Sequence, residues 1–187
     1  MLKKFFIVVI LSVFALVGNR FSLCSAAMPY SEMYLGGFTV GSSYSEMTKM
    51  YGAPTSQDLG IEHNACCIYG NSVVINYNNF DNKIQGINVK ANNGWSTPAG
   101  LTVGMNISDA LDMYGEPAFK KSSSIKTVYC YFHKPNMGRS TPPDFGFFIV
   151  FNKDSGKILQ LSVIGDNTMI SFKETECFDS IVRNMLE

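Results

Sequence analysis

Six side chains could support covalent or metal chemistry in this chain once its first 27 residues are set aside. They are His63, His133, Cys66, Cys67, Cys130 and Cys177. A cysteine becomes a nucleophile when a base or a cation favours its thiolate. Cys66 or Cys130 could be such a nucleophile beside a histidine, but no acid completes a triad with either. The spacings supply no structural zinc site, which wants two close Cys or His pairs. No G-x-S-x-G, H-E-x-x-H or phosphate loop occurs. Asp109 and Asp112 fall near an expected helix start, where acids suit the helix dipole. The expectation is a protein that is not an enzyme, with no catalytic residue, no metal and no cofactor. Four cysteines allow three disulfide pairings, and the sequence does not choose among them. An adjacent Cys66–Cys67 bridge would be strained; the other reading makes some of them small buried hydrophobes.

Aromatic residues point to binding instead. On an expected strand over 125–133, Tyr129 and Tyr131 share one face, and Val128, Cys130 and Phe132 share the other. Over 157–164, Leu159, Leu161 and Val163 look like core, which turns Gln160 and Ser162 outward. The matching outward pair earlier in the chain is Asn88 and Lys90, opposite Ile87 and Val89. The candidate binding face is therefore Tyr129, Tyr131, Gln160, Lys90 and Asn88, a mix that suits protein recognition, where tyrosine is enriched. The alternative is that both tyrosines only cover the sheet. Trp95 reads as a plug between two units. A polar, proline-containing insertion over 133–144 reads equally as a binding loop or as tolerated length.

A repeat must position these residues. YGAP at 51–54 returns as YGEP at 114–117, and GFTVG at 37–41 returns as GLTVG at 100–104, an offset of 63 that also lays Cys67 on Cys130. Later an offset of 74 lays VVINY at 73–77 on FFIVF at 147–151. The difference is the insertion. One supersecondary unit written twice explains both offsets. Each copy starts with a helix N-cap: Ser43 with Glu46 three residues on forms a capping box, approximated by Asn106 with Asp109. Tyr44, Met47, Thr48 and Tyr51 then make one apolar stripe, and Ile107, Ala110, Leu111 and Tyr114 make the other. Gly52 and Gly115 end the helices, and Pro54 and Pro117 forbid continuation. Strands are expected over 62–69, 72–78 and 83–91, and over 125–133, 145–152 and 157–164, with hairpin-length connections. The tail from Phe172 to Met185 reads as a further helix, with Phe178, Ile181, Val182 and Met185 on one side.

The order G-[LF]-T-V-G, capped helix, Tyr-Gly-x-Pro, then meander, twice over residues 35 to 165, resembles the repeat of the β-lactamase inhibitory protein family. Used once, the same unit is similar to the small lipoprotein BamE of outer-membrane assembly, also called SmpA. The resemblance implies an α+β fold in which two tandem helix-plus-antiparallel-meander repeats form one continuous curved sheet with helices on one face. The expected segments are a leader over 1–27, repeats over 28–94 and 95–166, and a C-terminal helix over 167–187. In the inhibitor family the concave sheet face grips a protein. In that family the disulfides lie within each repeat; here the departures are the lack of a clear second cysteine in each repeat and an inhibitory loop with no residue-by-residue match.

Lys3 and Lys4, an apolar run FFIVVILSVFALVG, and then small residues around Ala26 and Ala27 have the order of a secretory leader. The run is about 14 residues, short of the roughly 20 that span a bilayer. The alternatives are a retained anchor or a lipid on Cys24, and only these would put the chain at a membrane. Removing Lys3, Lys4 and Arg20 from the 15 basic residues leaves 12 against 15 acids, a net charge of about −3. With no basic cluster, nucleic acid is not an expected partner. The expected function is a secreted or envelope protein-binding module, possessing a protein partner and acting as inhibitor or adaptor. The alternatives are a tethered envelope-assembly component and a small-ligand or hydrolytic protein.

Overall fold

A computed structural model of the chain describes residues 28–60, 63–133, 145–165 and 175–187; the side chains of Phe145 and of residues 175–180 also lie outside it. The expected leader, Cys24, the 134–144 part of the insertion and the Cys177 side chain therefore fall outside the described residues. Eight strands form one antiparallel sheet in the order β1-β2-β3-β4-β8-β7-β6-β5. The first four are β1 (Ser56–Leu59), β2 (Asn64–Tyr69), β3 (Val73–Asn78) and β4 (Lys83–Val89). The second four are β5 (Phe119–Ser122), β6 (Lys126–Phe132), β7 (Phe145–Asn152) and β8 (Ile158–Gly165). Each set is a meander, and the sets meet where β4 pairs β8, Ile87 opposite Val163 and Val89 opposite Leu161. The chain is α+β, as expected.

Helices α1 (Tyr44–Tyr51) and α2 (Ile107–Tyr114) end alike, but the reciprocal capping box falls at Asn106 with Asp109, and Ser43 supplies the hydroxyl half. The Ser43 hydroxyl accepts the Glu46 N–H, and the Asp109 carboxylate accepts the Asn106 N–H at 2.9 Å. Gly52 (φ 82°) and Gly115 (φ 73°) turn the chain out of the helix with a left-handed residue. The same backbone bonds dock both helix starts on a hairpin. Tyr44 N–H donates to Asn82 O at 3.0 Å, and Ile107 N–H donates to Gly156 O at 2.8 Å. Gly41 N–H reaches Ile84 O and Gly104 N–H reaches Ile158 O, at 2.8 and 2.9 Å. Even the ladder irregularities correspond: pairing shifts after Asn76 and again after Val150. The extra residues are Gln85 and Leu159, which explains why Leu159, read as core, is 39% exposed.

Below α1 and α2 lies the larger apolar cluster. It takes Met47, Tyr44 and Ala110 from the helices and Ile75, Ile87, Ile149 and Val163 from the sheet, with Trp95 beneath the linker. The Tyr44 ring stacks on Tyr77 at 3.9 Å, and its hydroxyl meets Cys67 Sγ at 3.0 Å. Of the expected helix stripes, Tyr44, Met47, Ala110 and Tyr114 are buried, whereas Tyr51 is exposed. Helix α3 (Thr175–Leu186) sits elsewhere. Its Val182 is fully buried against Val128, Cys130, Phe148 and Val150, on the opposite side of the sheet. The expectation that all helices share one face is therefore corrected. The β5–β8 half has apolar side chains on both sides, so it requires cover on both.

Two further corrections concern register. Strands β1 and β5 were not expected, because SQDL and FKKS are short edge strands, the first exposed throughout and the second alternating half-buried Phe119 and Lys121 with exposed Lys120 and Ser122. Cys67 is opposite Ile75 while Tyr129, not Cys130, is opposite Ile149. The correspondence between β2 and β6 thus runs at an offset one short of the helices' offset, and one residue of slip flips every side chain to the other side. Cys67 lies in the cluster under α1, and Cys130 in the cluster under α3. Cys66 and Cys67, neighbours on one strand, point to opposite sides, and Cys66, Cys67 and Cys130 are all free thiols.

Three expectations follow. In the native chain, alkylation read by peptide mass spectrometry should modify half-buried Cys66 well before Cys67 or Cys130, which carry no exposed surface; equal rates at all three would contradict this register. Tyr131→Ala should lower unfolding stability by roughly 3–5 kcal/mol in urea titration, as for other large aromatic truncations. Burial lifts the Tyr114 hydroxyl from 10.0 to about 12. The folded chain holds that proton more tightly, so its contribution is complete below pH 10.0 and is lost as pH rises toward about 12. Tyr114→Phe should therefore show a shallower alkaline loss of stability in that window, and an unchanged slope would exclude Tyr114 as a source.

Candidate functional site

The five sequence-derived candidates divide between the two sides of the sheet. Asn88 and Gln160 come together: Gln160 Nε2 donates to Asn88 Oδ1 at 3.3 Å and to Ser162 Oγ at 2.9 Å. The bond follows from the β4–β8 joint, which sets Asn88 opposite Ser162. Lys90 continues the same strand side and is exposed. These three, with Val74 of β3 and Ile181 and Met185 of α3, border a shallow groove of ≈ 250 Å³.

Tyr129 and Tyr131 do not face that way, and their outward placement is corrected. Tyr131 is 0% exposed. Its hydroxyl donates to Gly115 O at 3.0 Å, and its ring meets Tyr114 edge-on at 6.0 Å. It pins the end of α2 to the sheet. Half-buried Tyr129 meets Phe151 edge-on at 4.8 Å on the same side. The physical reason is that β6 is apolar on both sides, so alternation separates the two side-chain sets without saying which one faces out. Ser162, expected outward, is on the second side but fully buried.

The β1–β4 half of this second side carries residues that the sequence reading did not place on the binding face. Asn64, Cys66, Asn76 and Gln85, with Asp58 at the edge, line a depression of ≈ 390 Å³. Asn76 is there because Ile75 and Tyr77 point into the core. Gln85 joins it because the bulge gives β4 an extra residue. The alternation VVINYN held the signal for Asn76; nothing local announced the bulge. Burial first, and then the Asp58 charge, push the Cys66 thiol up, and burial also raises Cys67 and Cys130. These shifts oppose thiolate formation. His63 (φ 64°) lies beside exposed Phe80 at 5.4 Å, and His133 beside Tyr30 at 5.5 Å. Among the described residues no group of three or more His, Cys, Asp or Glu gathers as a metal site, and no helix is long and apolar enough to cross a membrane.

No family model and no curated protein matches the chain. Solved structures do resemble it. One is a cysteine-rich secretory protein from Staphylococcus aureus subsp. aureus Mu50, with TM-score 0.52 and 11% identity over 76% of this chain and 50% of that one. Another is an extracellular protein containing an SCP domain from Bacillus anthracis str. Ames, with TM-score 0.49 and 10% identity over 77% of this chain and 48% of that one. The chain thus spans about half the length of each, and what it shares with the Staphylococcus protein is a fold.

Proposed function

We propose that this chain is an exported, non-enzymatic protein-binding module, built from a duplicated helix-plus-four-strand unit, that holds its partner on the second side of β1–β4. The observation that carries the reading is an asymmetry across the β4–β8 joint. On β5–β8 that side is apolar and lies under α3. On β1–β4 it is lined by half-buried Asn76, Gln85 and Asn88 around Cys66 and Val74, with exposed Ile68 and Lys90 at its margins. Neutral amides interspersed with small apolar groups match the mixed character of protein interfaces, whose centres are poor in charge. Such a surface would bury about 800 Å² per partner in an ordinary complex.

Supporting the duplication are the paired helix-docking bonds and the paired bulges. The resemblance to the β-lactamase inhibitory protein and to BamE fits the same reading, since both use this unit to hold proteins. Export rests on the leader-like first 27 residues and agrees with the secretory description of the Staphylococcus protein that shares the fold. The tethered alternative keeps the binding surface and adds a lipid on Cys24, which follows the apolar run.

The test uses the full mature chain as bait, with crosslinking in culture fluid and envelope fractions. Partner crosslinks should map to β2–β4. A double variant, Asn76→Arg with Asn88→Arg, should keep its melting temperature within a few degrees and lose at least tenfold in affinity, about 1.4 kcal/mol. Capture of the same partner at unchanged affinity would remove this surface. Radiolabelled palmitate retained in the parent and lost in Cys24→Ala would identify the tethered form.

A further inference from the structure

On the helix side, a cleft of ≈ 750 Å³ opens between the Tyr30–Glu32 turn, the end of α1 and the linker 94–98. The size falls within the roughly 300–1,000 Å³ of small-molecule sites. Tyr30, Tyr34 and Tyr51 wall it, with Gly37 and Gly94 between them. Trp95 lies beneath. A Cβ on Gly36 would come within 2.5 Å of the indole, so glycine is what lets the turn rest directly on that ring. The Tyr51 ring covers Trp95 at 4.8 Å and 34°, fixed by a hydroxyl bond to Gly36 O at 2.8 Å, and stays 40% exposed. Tyr30 and Tyr34 meet at 5.8 Å and 77°, which offers a ring face beside a ring edge.

Among the described residues the lining is neutral. Its polar groups are hydroxyls, at Ser31, Ser96, Thr97 and the tyrosines, together with glycine backbone. Glu32, in the turn that borders the cleft, is not in the lining: its carboxylate accepts the Ala99 N–H at 3.0 Å and the Tyr114 hydroxyl at 3.3 Å. At Gly37 and Gly94, both in left-handed conformation, nothing stands within 4 Å of where a side chain would begin, so the backbone there is bare. Burial raises the Tyr30 and Tyr51 hydroxyls, and Tyr51 donates its proton to Gly36 O, so it offers its ring face and not a donor.

The geometry points to a second binding site in this cleft, for a neutral oligosaccharide whose apolar ring face lies on Tyr51 and the Tyr30–Tyr34 pair. A sugar ring presents C–H bonds on one face and hydroxyls around its belt. The C–H face complements the negative face of an aromatic ring. The belt complements serine hydroxyls and bare backbone, each able to donate or accept. An anionic sugar would need a cation that the lining does not provide. This site is on the opposite side of the sheet from the proposed protein-binding surface, so either can fail without the other.

Trp95 is the sole tryptophan, and its place beneath Tyr51 makes it the reporter. The full mature chain is titrated with chitotetraose, cellotetraose and maltotetraose, and with a proline-rich decapeptide, following Trp95 emission and calorimetric heat. At least one saccharide should give a saturable change at millimolar concentration or below. Tyr34→Ala should weaken it roughly tenfold, Tyr34→Phe by much less, and Tyr51→Ala should weaken the calorimetric signal likewise. The tyrosine variants should keep the parent circular dichroism, since both side chains retain exposed surface. No saturable response to any of the three saccharides overturns the proposal. So does a response confined to the peptide, or saccharide binding that ignores Tyr34→Ala and Tyr51→Ala.

Discussion

The antiparallel pairing of β4 with β8 is the joint on which the other features depend. Every other strand pair joins neighbours in sequence, so each meander closes on itself and leaves one inner edge unsatisfied. An open edge of a meander is a row of unpaired amides and carbonyls. Setting the two edges against each other satisfies both and aligns the apolar side chains of the halves, Ile87 with Val163 and Val89 with Leu161, into one layer. That layer then accepts α1 and α2 side by side. Trp95 and Leu101, from the segment between the halves, are buried in the same cluster.

The joint also makes the two halves unequal on the second side of the sheet. Similar backbones carry different side chains there. Val128, Cys130, Phe148 and Val150 need a lid and receive α3, while Asn76, Gln85 and Asn88 can be left near water. An amide costs free energy when buried without a partner, so those positions suit either solvent or a partner that answers them. Gln160 lies at the border and bonds across the joint to Asn88.

Much of the fold was legible in the sequence because its strongest signals are local. The Ser43 cap, the Gly52 and Gly115 exits and the alternation of VVINYN each act within one or two turns of chain. The residues that misled were those whose placement depends on distant chain. Tyr129 and Tyr131 sit on a strand that is apolar both ways, and which side faces α2 is decided by register with β7, not by the strand itself. The offset that paired Cys67 with Cys130 held for the helices and failed by one residue in β2 and β6. Edge strands β1 and β5 are four residues each, too short and too polar to show a period, with Phe119 as the one apolar residue of β5 packed on the sheet. Of the candidate site, Asn88 was found because Ile87 and Val89 are plainly core, and Gln160 because Leu161 is, although Leu159 on its other side is not. Gln85 was missed because a bulge breaks the period of two.

Among the described strands one pair, β4 with β8, joins segments that are not neighbours in sequence, so much of the entropy of bringing the two meanders together falls on that closure. The hairpins can organise from contacts close in sequence, on the microsecond scale typical of such ribbons. Joining β4 to β8 must then draw in the whole of the intervening meander, and closure cost rises only slowly with the length enclosed. The folding speed of this protein is thereby tied less to its size than to how well each half holds its shape while it waits for the other.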